Sequence, residues 1–223
     1  MAEFPELHRE NFVYFISLVA LCEKKLKQAL HNMPNNSPLG VGGKKQTNMS
    51  TYKIDASHSE ITFKVKHLMI TNVTGSFQKF DATLEAAEAD FSDAKISFSA
   101  DVNSISTNNE QRDGHLKSDD FFAAEKFPAL SFTSTSFTKK SEDEYSLVGD
   151  LTIRDVTKQV ELAVEYGGTM TDFYGQEKAG FEISGKINRK EFGLGWGAVT
   201  EAGGIVVSDE VKLHLAVQMV KQA

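Results

Sequence analysis

Residues 49–223 predict a mainly β domain, a closed antiparallel barrel of eight strands with one short helical crossing. Three observations carry this reading. Eight segments alternate apolar and polar residues with a period of two, the mark of strands with one buried face. Turn-forming residues separate most of these segments. A 3.6-residue period is missing except around 112–124. An antiparallel sheet with one apolar face must bury that face. With about eight strands, closing the sheet on itself is the simplest way to do so.

The segments follow in order. The first sets Ile61, Phe63, Val65 and His67 on one face and Thr62, Lys64 and Lys66 on the other. Phe80, Ala82, Leu84 and Ala86 repeat the pattern. Ile96, Phe98, Ala100 and Val102 then oppose Lys95, Ser97, Ser99 and Asp101. A charged crossing follows, in which Ser118 is the expected N-cap of a short helix. Asp119 and Asp120 would occupy its first turn, where the helix dipole favours negative charge. Leu130 and Phe132 open the fourth strand. Tyr145, Leu147, Gly149, Leu151 and Ile153 form the fifth, and Val160, Leu162, Val164 and Tyr166 the sixth. Phe181, Ile183, Gly185 and Ile187 make the seventh. Val211, Leu213, Leu215, Val217 and Met219 close the series.

Thirteen of the 16 phenylalanines lie beyond residue 49, against a single tryptophan. On residue statistics alone, such rings fill a solid core. An eight-stranded barrel, however, is either packed solid or encloses one small ligand. Small or polar residues on the inward parity (Ala82, Ala100, Ser134, Gly149 and Gly185) leave room for a cavity.

Charge and cysteine content narrow the function. Residues 49–223 carry 18 Lys/Arg and 27 Asp/Glu, a net charge of −9. Nucleic acid requires a basic footprint and is not an expected partner. Simple electrostatic docking on an anionic membrane is also disfavoured. The only cysteine is Cys22, so the domain has neither a disulfide framework nor a thiolate metal site.

Residues 1–48 read as a separate extension, an apolar helix followed by a flexible linker. The apolar run 12–22 has eleven residues, short of the roughly 20 that span a bilayer, so no stable membrane span is expected. Its length suits an export signal, but Glu3, Glu6 and Glu10 outnumber Arg9 before it and no small-x-small cleavage site follows. Residues 33–48 have the composition of a linker, and the sequence from Met49 reads as a natural beginning. Translation from Met49 favours a cytoplasmic location; a working export signal in the apolar segment places the domain in the periplasm.

Arg112-Asp-Gly-His115 is the densest polar cluster. Arg112 offers a fixed fork of donors to oxygen ligands, and with His115 it is the candidate headgroup contact at a barrel mouth. A local salt bridge and helix cap is the competing reading. Catalysis through His115, Asp113 or His67 lacks a visible nucleophile, since G-x-S-x-G is absent and the domain has no cysteine. His58 and His67 stand alone, with no H-x-x-x-H or C-x-x-C near them, so neither a metal nor a cofactor is expected. His214 falls on the outward face of the last strand. Gly193-Leu-Gly-Trp-Gly197 has the outline of a nucleotide loop, but that loop requires a parallel strand–turn–helix unit. A loop needing positive φ, with Trp196 shielding one barrel end, fits better. Internal repeats are not evident.

Several blocks together resemble one family. Ile54, Asp55, His58, Ser59, Ile61, Phe63, Val65 and His67 match I-D-x-x-H-S-x-I-x-F-x-V-x-H. Gly75, Phe77 and Phe80 match G-x-F-x-x-F. Residues 104–128 match S-I-x-T…R-D-x-H-L-x-S-x-D-F-F…F-P. Residues 149–158 match G-D-L-T-I-R-x-V-T-K, and 188–193 match N-R-x-x-F-G. In this order, over about residues 50–221, the chain is similar to the YceI-like lipid- and polyisoprenoid-binding proteins. The resemblance implies a lipocalin-like antiparallel β-barrel with an elongated apolar pocket. It implies a long-chain isoprenoid or acyl lipid as ligand, and a homodimer is common in the family. The function implied is binding, storage or transport of that amphiphile, not catalysis. The inward candidates for ligand contact are Phe63, Val65, Phe98, Phe132, Leu151, Ile153, Phe181 and Leu213, with Arg112 and His115 at the mouth. An enzyme or stress-response isomerase acting on a hydrophobic small molecule through His115 and Asp113, or His67, is the alternative.

Overall fold

In the computed structural model, which describes residues 49–197 and 206–223, the strands form one antiparallel sheet that closes on itself. The N-terminal extension expected over 1–48 lies outside the described residues. In chain order the elements are β1 (Ser50–Ile54), β2 (Glu60–His67), β3 (Thr71–Phe77), β4 (Phe80–Ala86), β5 (Lys95–Asp101), β6 (Ile105–Ser106), α1 (Glu110–Lys117), β7 (Ala129–Lys139), β8 (Glu144–Ile153), β9 (Val156–Thr171), β10 (Glu177–Asn188) and β11 (Val207–Lys221).

The ring runs β1-β4-β5-β7-β8-β9-β10-β11 and returns to β1, through Tyr52↔Lys221 and Ile54↔Met219. Eight strands therefore close the barrel, as the alternation predicts. The first two expected strands prove to be halves of longer, broken ones. β1 precedes β2 across a 3-10 turn at Ala56–His58, which Asp55 caps by accepting from the Ser57 N–H at 3.1 Å. Both pair with β11, β1 at its end and β2 nearer its start (Leu213↔Phe63, Val211↔Val65). β3 similarly precedes β4 and pairs with β2 and the short β6. Its own pattern is diluted: only Val73 and Phe77 are apolar on its inward side, with Gly75 between them.

One barrel end is closed by rings. The 87–94 loop folds Phe91 inward against Tyr52, Tyr166 and Phe181, at centroid distances of 5.4, 5.6 and 5.5 Å. All three contacts are edge-on, the arrangement the ring quadrupole favours. Phe91 sits at φ 59°, in the left-handed region. Asp93 secures the loop by accepting the Ala87 and Glu88 N–H groups at 3.0 Å, and the Tyr145 hydroxyl donates to Asp90 O at 2.7 Å.

The other end carries the β2–β3 hairpin, the 102–128 crossing, the β8–β9 turn and the segment after β10. Here one expectation needs correction. Ser118 does not start the helix; it ends it, with its N–H on His115 O and its hydroxyl donating to the same carbonyl at 2.7 Å. Asn109 is the N-cap, extended at φ −152°, and its side chain accepts the Arg112 N–H at 2.9 Å. Asn109 thus satisfies an orphan amide nine residues earlier than expected. Asp119 and Asp120 follow the helix, in turns that bring Ala124 N–H to Lys117 O.

The inward glycines act differently from small fillers. A Cβ on Gly149 would lie 2.3 Å from the Phe132 ring, one on Gly75 2.3 Å from the Phe63 ring, and one on Gly185 2.4 Å from Leu162. Each glycine therefore lets a large neighbour lie flat against the wall, which keeps that side chain off the barrel axis. Ser134 turns away instead, its hydroxyl accepting from Ile96 N–H beside a bulge in β7. Ala82 lines the cavity, whereas Ala100 is buried in the core without reaching it.

Polar contacts tie the strands near the closed end. Tyr52 donates to Glu177 at 2.7 Å, Lys221 pairs with Glu177 at 3.2 Å, and Gln218 donates to Asp55 at 3.1 Å. The Tyr52 hydrogen bond, with Lys221 beside it, holds the Glu177 carboxyl below its ordinary range. The Ser57 hydroxyl, with help from His58, lowers Asp55 from 3.8 to about 2.

Two outcomes follow from this packing. Gly149→Ala is expected to cost roughly 1–3 kcal/mol in urea unfolding, and more than Gly185→Ala. The new Cβ at 149 meets a backbone atom, Thr133 O at 2.5 Å, whereas at 185 it meets only the movable tip of Leu162. A depressed carboxylate stabilises the fold above its unfolded value and loses that contribution as it protonates. Stability is therefore expected to fall as pH drops from 3.8 toward 2, and Asp55→Asn should flatten that part of the pH–stability curve.

Candidate functional site

The barrel encloses a cavity of about 350 Å³, lined almost wholly by apolar side chains. Phe137, Leu147, Val164, Phe181 and Met219 line it toward the closed end. Val65, Val73, Leu194, Trp196 and Val207 line it toward the mouth. This is the consequence of parity: each strand turns alternate residues inward, and closure gives those residues a common interior.

Phe63, Val65, Phe98, Phe132, Leu151, Ile153, Phe181 and Leu213 all face this cavity, and so do Arg112, His115 and His67. Asp113 is not part of the lining. His58 lies in the turn beside β1, 2.9 Å from Asp55. His214 is exposed on the outer wall, 3.5 Å from Glu182, as its parity predicts. Among the described residues, no group of three or more His, Cys, Asp or Glu is arranged to hold a metal.

Polar groups gather at the mouth. Arg112 Nε donates to Thr107 Oγ1, and Nη2 to Thr107 O, both at 2.7 Å. Thr107 in turn donates its N–H and hydroxyl to Asp113 Oδ1, at 2.8 and 2.5 Å. Arg112 and Asp113 do not pair directly, because Thr107 stands between the two charges, but the competing reading holds in part: Asn109 caps the Arg112 N–H and His115 makes a local contact with Asp120. Among the described residues, Arg112 Nη1 has no hydrogen-bond partner and no carboxylate lies within 4 Å of the guanidinium. His115 Nε2 lies 3.0 Å from Asp120 Oδ2. Its ring packs edge-on to Phe121 and Trp196, each at 5.1 Å, and those two rings lie 5.4 Å apart. Trp196 thus covers the end of the barrel where α1 sits, and Gly193 before it takes the positive φ expected there, 74°.

One residue that shapes the mouth escaped the sequence reading as an individual. Arg189 is only 3% exposed. Its guanidinium donates to Ser208 O at 2.9 Å, to Leu194 O and Trp196 O at 2.6 Å, and to Val207 O and Asp209 Oδ1 at 3.3 Å. Burial pulls its pKa down, and Asp209 opposes that shift. One charged group thereby holds the segment carrying Trp196 against the start of β11. Arg154 supports the same segment, donating to Phe121 O at 3.2 Å and Gly193 O at 3.0 Å. The available signal was parity: Arg189 continues the inward series Phe181, Ile183, Gly185, Ile187, where a charge is anomalous.

Arg189→Met is expected to destabilise the domain by about 3 kcal/mol or more, since each buried carbonyl left without a donor costs roughly 1–3 kcal/mol. Urea unfolding measures the loss. A red shift of the fluorescence of Trp196, the only tryptophan, would report the loosened mouth directly.

Comparison with known proteins places this architecture. The YceI-like domain model matches residues 52–219. A UPF0312 protein of Staphylococcus aureus strain USA300 is 36% identical over 171 residues, covering 76% of this chain and 97% of that protein. Among solved structures, a Campylobacter jejuni YCEI protein is 34% identical with a TM-score of 0.62, over 71% of this chain and 90% of that one. A polyisoprenoid binding domain from Saccharophagus degradans, implicated in plant cell wall breakdown, shares the fold at a TM-score of 0.56 and 15% identity, over 77% and 98% of the two chains. With a match that runs from β1 into β11 and a barrel shared with solved relatives, the chain belongs to the YceI-like family.

Proposed function

We propose that this chain binds a long-chain amphiphile, a polyisoprenoid or fatty-acyl lipid, inside the barrel, and stores or carries it without altering it chemically. The observation that carries the reading is the cavity itself: about 350 Å³, almost wholly apolar, stopped at one end by Phe91, with Arg112 and His115 at the other. Burial drives binding. Each methylene removed from water contributes about 0.8 kcal/mol, so about ten offer on the order of 8 kcal/mol before ordering costs. An apolar tail lies toward the closed end, and the headgroup meets Nη1 of Arg112, which has no hydrogen-bond partner among the described residues. The family and the polyisoprenoid binding domain from Saccharophagus degradans support this ligand class.

Catalysis finds less support in the same residues. The carboxylate of Asp113 is taken by Thr107, and the partner of His115 is Asp120 on the exposed side. No cysteine stands in the domain to act as nucleophile.

Native mass spectrometry of the chain expressed in its source organism, followed by solvent extraction, tests the proposal. The expected result is a stoichiometric prenyl or acyl lipid. A bare protein that takes up neither added polyprenyl nor fatty lipid would overturn it. Phe98→Arg places a cation in the cavity and is expected to abolish lipid retention while circular dichroism remains that of a β-barrel; a folded variant that keeps its lipid contradicts the assignment of the interior. His115→Ala should at most weaken affinity. If it instead removes turnover of a hydrophobic substrate, the protein is an enzyme.

A further inference from the structure

The hairpin joining β2 to β3 departs from a soluble surface in three ways. Leu68 and Met69 sit at φ 51° and 61°, consecutive left-handed positions where glycine or asparagine is the ordinary occupant. The same turn leaves Leu68, Met69 and Ile70 exposed at 41%, 56% and 79%, three apolar side chains in a row at a tip. Behind the tip, on the outward face, Lys64 stands directly opposite Lys212 across the β2–β11 pair, and Lys66 lies one outward position nearer the tip. Like charges directly opposed weaken an antiparallel pair.

Among the described residues the nearest outward carboxylate on β11, Glu210, is taken by Lys186 and not by these lysines. Across β3 their partners are Thr74 and Asn72, both neutral. Among the described residues, none of the three has a carboxylate within 4 Å, although nearby Lys186, Lys190 and His214 each face one, at 3.3, 3.0 and 3.5 Å. The hairpin also stands at the cavity opening: His67 beside it lines the cavity, and Leu68 N–H donates to Val206 O, whose side chain lines it too.

An apolar tip with a cationic collar is complementary to an anionic lipid surface. The apolar side chains enter the acyl boundary, while lysines bury their stems and meet headgroup phosphates. We propose that the mouth of the barrel docks on an anionic bilayer through Leu68, Met69 and Ile70, with Lys64, Lys66 and Lys212 on the phosphates, so that lipid passes between bilayer and cavity without crossing water. The inference rests on the lipid-binding reading of the cavity and adds where loading occurs. The net charge of −9 over residues 49–223 opposes long-range attraction. Docking is therefore a short-range event set by this one face, within a Debye length of about 8 Å at physiological salt. The closed end supplies a natural control. Its hairpin exposes Phe173 and Tyr174 at 107% and 90%, but the lysines behind it are already paired, Lys178 with Asp172 at 3.3 Å and Lys221 with Glu177 at 3.2 Å, and the Phe91 plug stands between that end and the cavity.

The test is flotation of the full chain with phosphatidylcholine vesicles, with and without added phosphatidylglycerol. The parent chain is expected to bind the anionic vesicles tighter by on the order of tenfold or more. Met69→Asp with Ile70→Asp, and separately Lys64→Glu with Lys66→Glu and Lys212→Glu, are each expected to remove that gain. Phe173→Asp with Tyr174→Asp is expected to keep it. The two mouth variants change different, exposed side chains, so a folding defect in one leaves the other decisive. Full anionic-vesicle binding by both mouth variants, or its loss only in the Phe173 and Tyr174 variant, overturns the proposal. Lipid retention is measured on the same samples by native mass spectrometry. Lipid retained without tip-dependent vesicle binding defeats the docking proposal alone. Tip-dependent vesicle binding without any retained lipid upholds docking and defeats the carrier reading.

Discussion

The pairing of β1 with the end of β11 is the contact on which the rest of the structure depends. It spans three residue pairs, Tyr52 to Ile54 against Lys221 to Met219, and together with the pairs that β2 makes farther along the same strand it turns an open sheet into a ring. An open antiparallel sheet of this size would present two unpaired edges and a wide apolar face to water. Closure removes both at once and gives every strand an inside of fixed width. The aromatic plug assembles around the same contact. Tyr52, on β1, packs against Phe91 and donates to Glu177 on β10, so the hydrogen-bonded seam and the stopper share a residue.

Two kinds of local chemistry then divide the interior. Toward the closed end the strands contribute rings and aliphatic chains. Glycines at 75, 149 and 185 let their largest neighbours lie against the wall instead of across the axis. Toward the mouth, the segments that leave the barrel are held by arginines whose donors reach backbone carbonyls: Arg189 to Leu194 and Trp196, Arg154 to Phe121 and Gly193. The result is a tube with a dry end and a polar end. That asymmetry is what a ligand with one long apolar tail and one polar head requires. It is also why the proposed membrane contact lies at the β2–β3 hairpin and not at the far tip of Phe173 and Tyr174.

The strands were legible wherever alternation was uninterrupted. The inward sets of β2, β5, β8, β10 and β11 stand as the period of two predicts, because parity is a local property that tertiary packing has little reason to reverse. β1 and β3 were not read as strands from the sequence. Asp55 and the 3-10 turn interrupt one broken strand, and Gly75 thins the apolar signal of the other. The helix start was misplaced for a related reason: Asn109 and Ser118 are both competent capping residues, and only the backbone, extended at Asn109, decides between them. The cavity residues were readable as a face, whereas the role of Arg189 depends on contacts with residues 5 to 20 positions away. Such contacts leave no periodic trace.

The polarity of the tube is the central claim. A crystal structure of the chain with its co-purified lipid bears on it most directly. The tail should run along the barrel past Phe98 and Phe132 and stop short of Phe91, with the headgroup within hydrogen-bond reach of Arg112. A headgroup seated at the closed end, or a lipid bound on the outer wall with side chains filling the barrel, would contradict it.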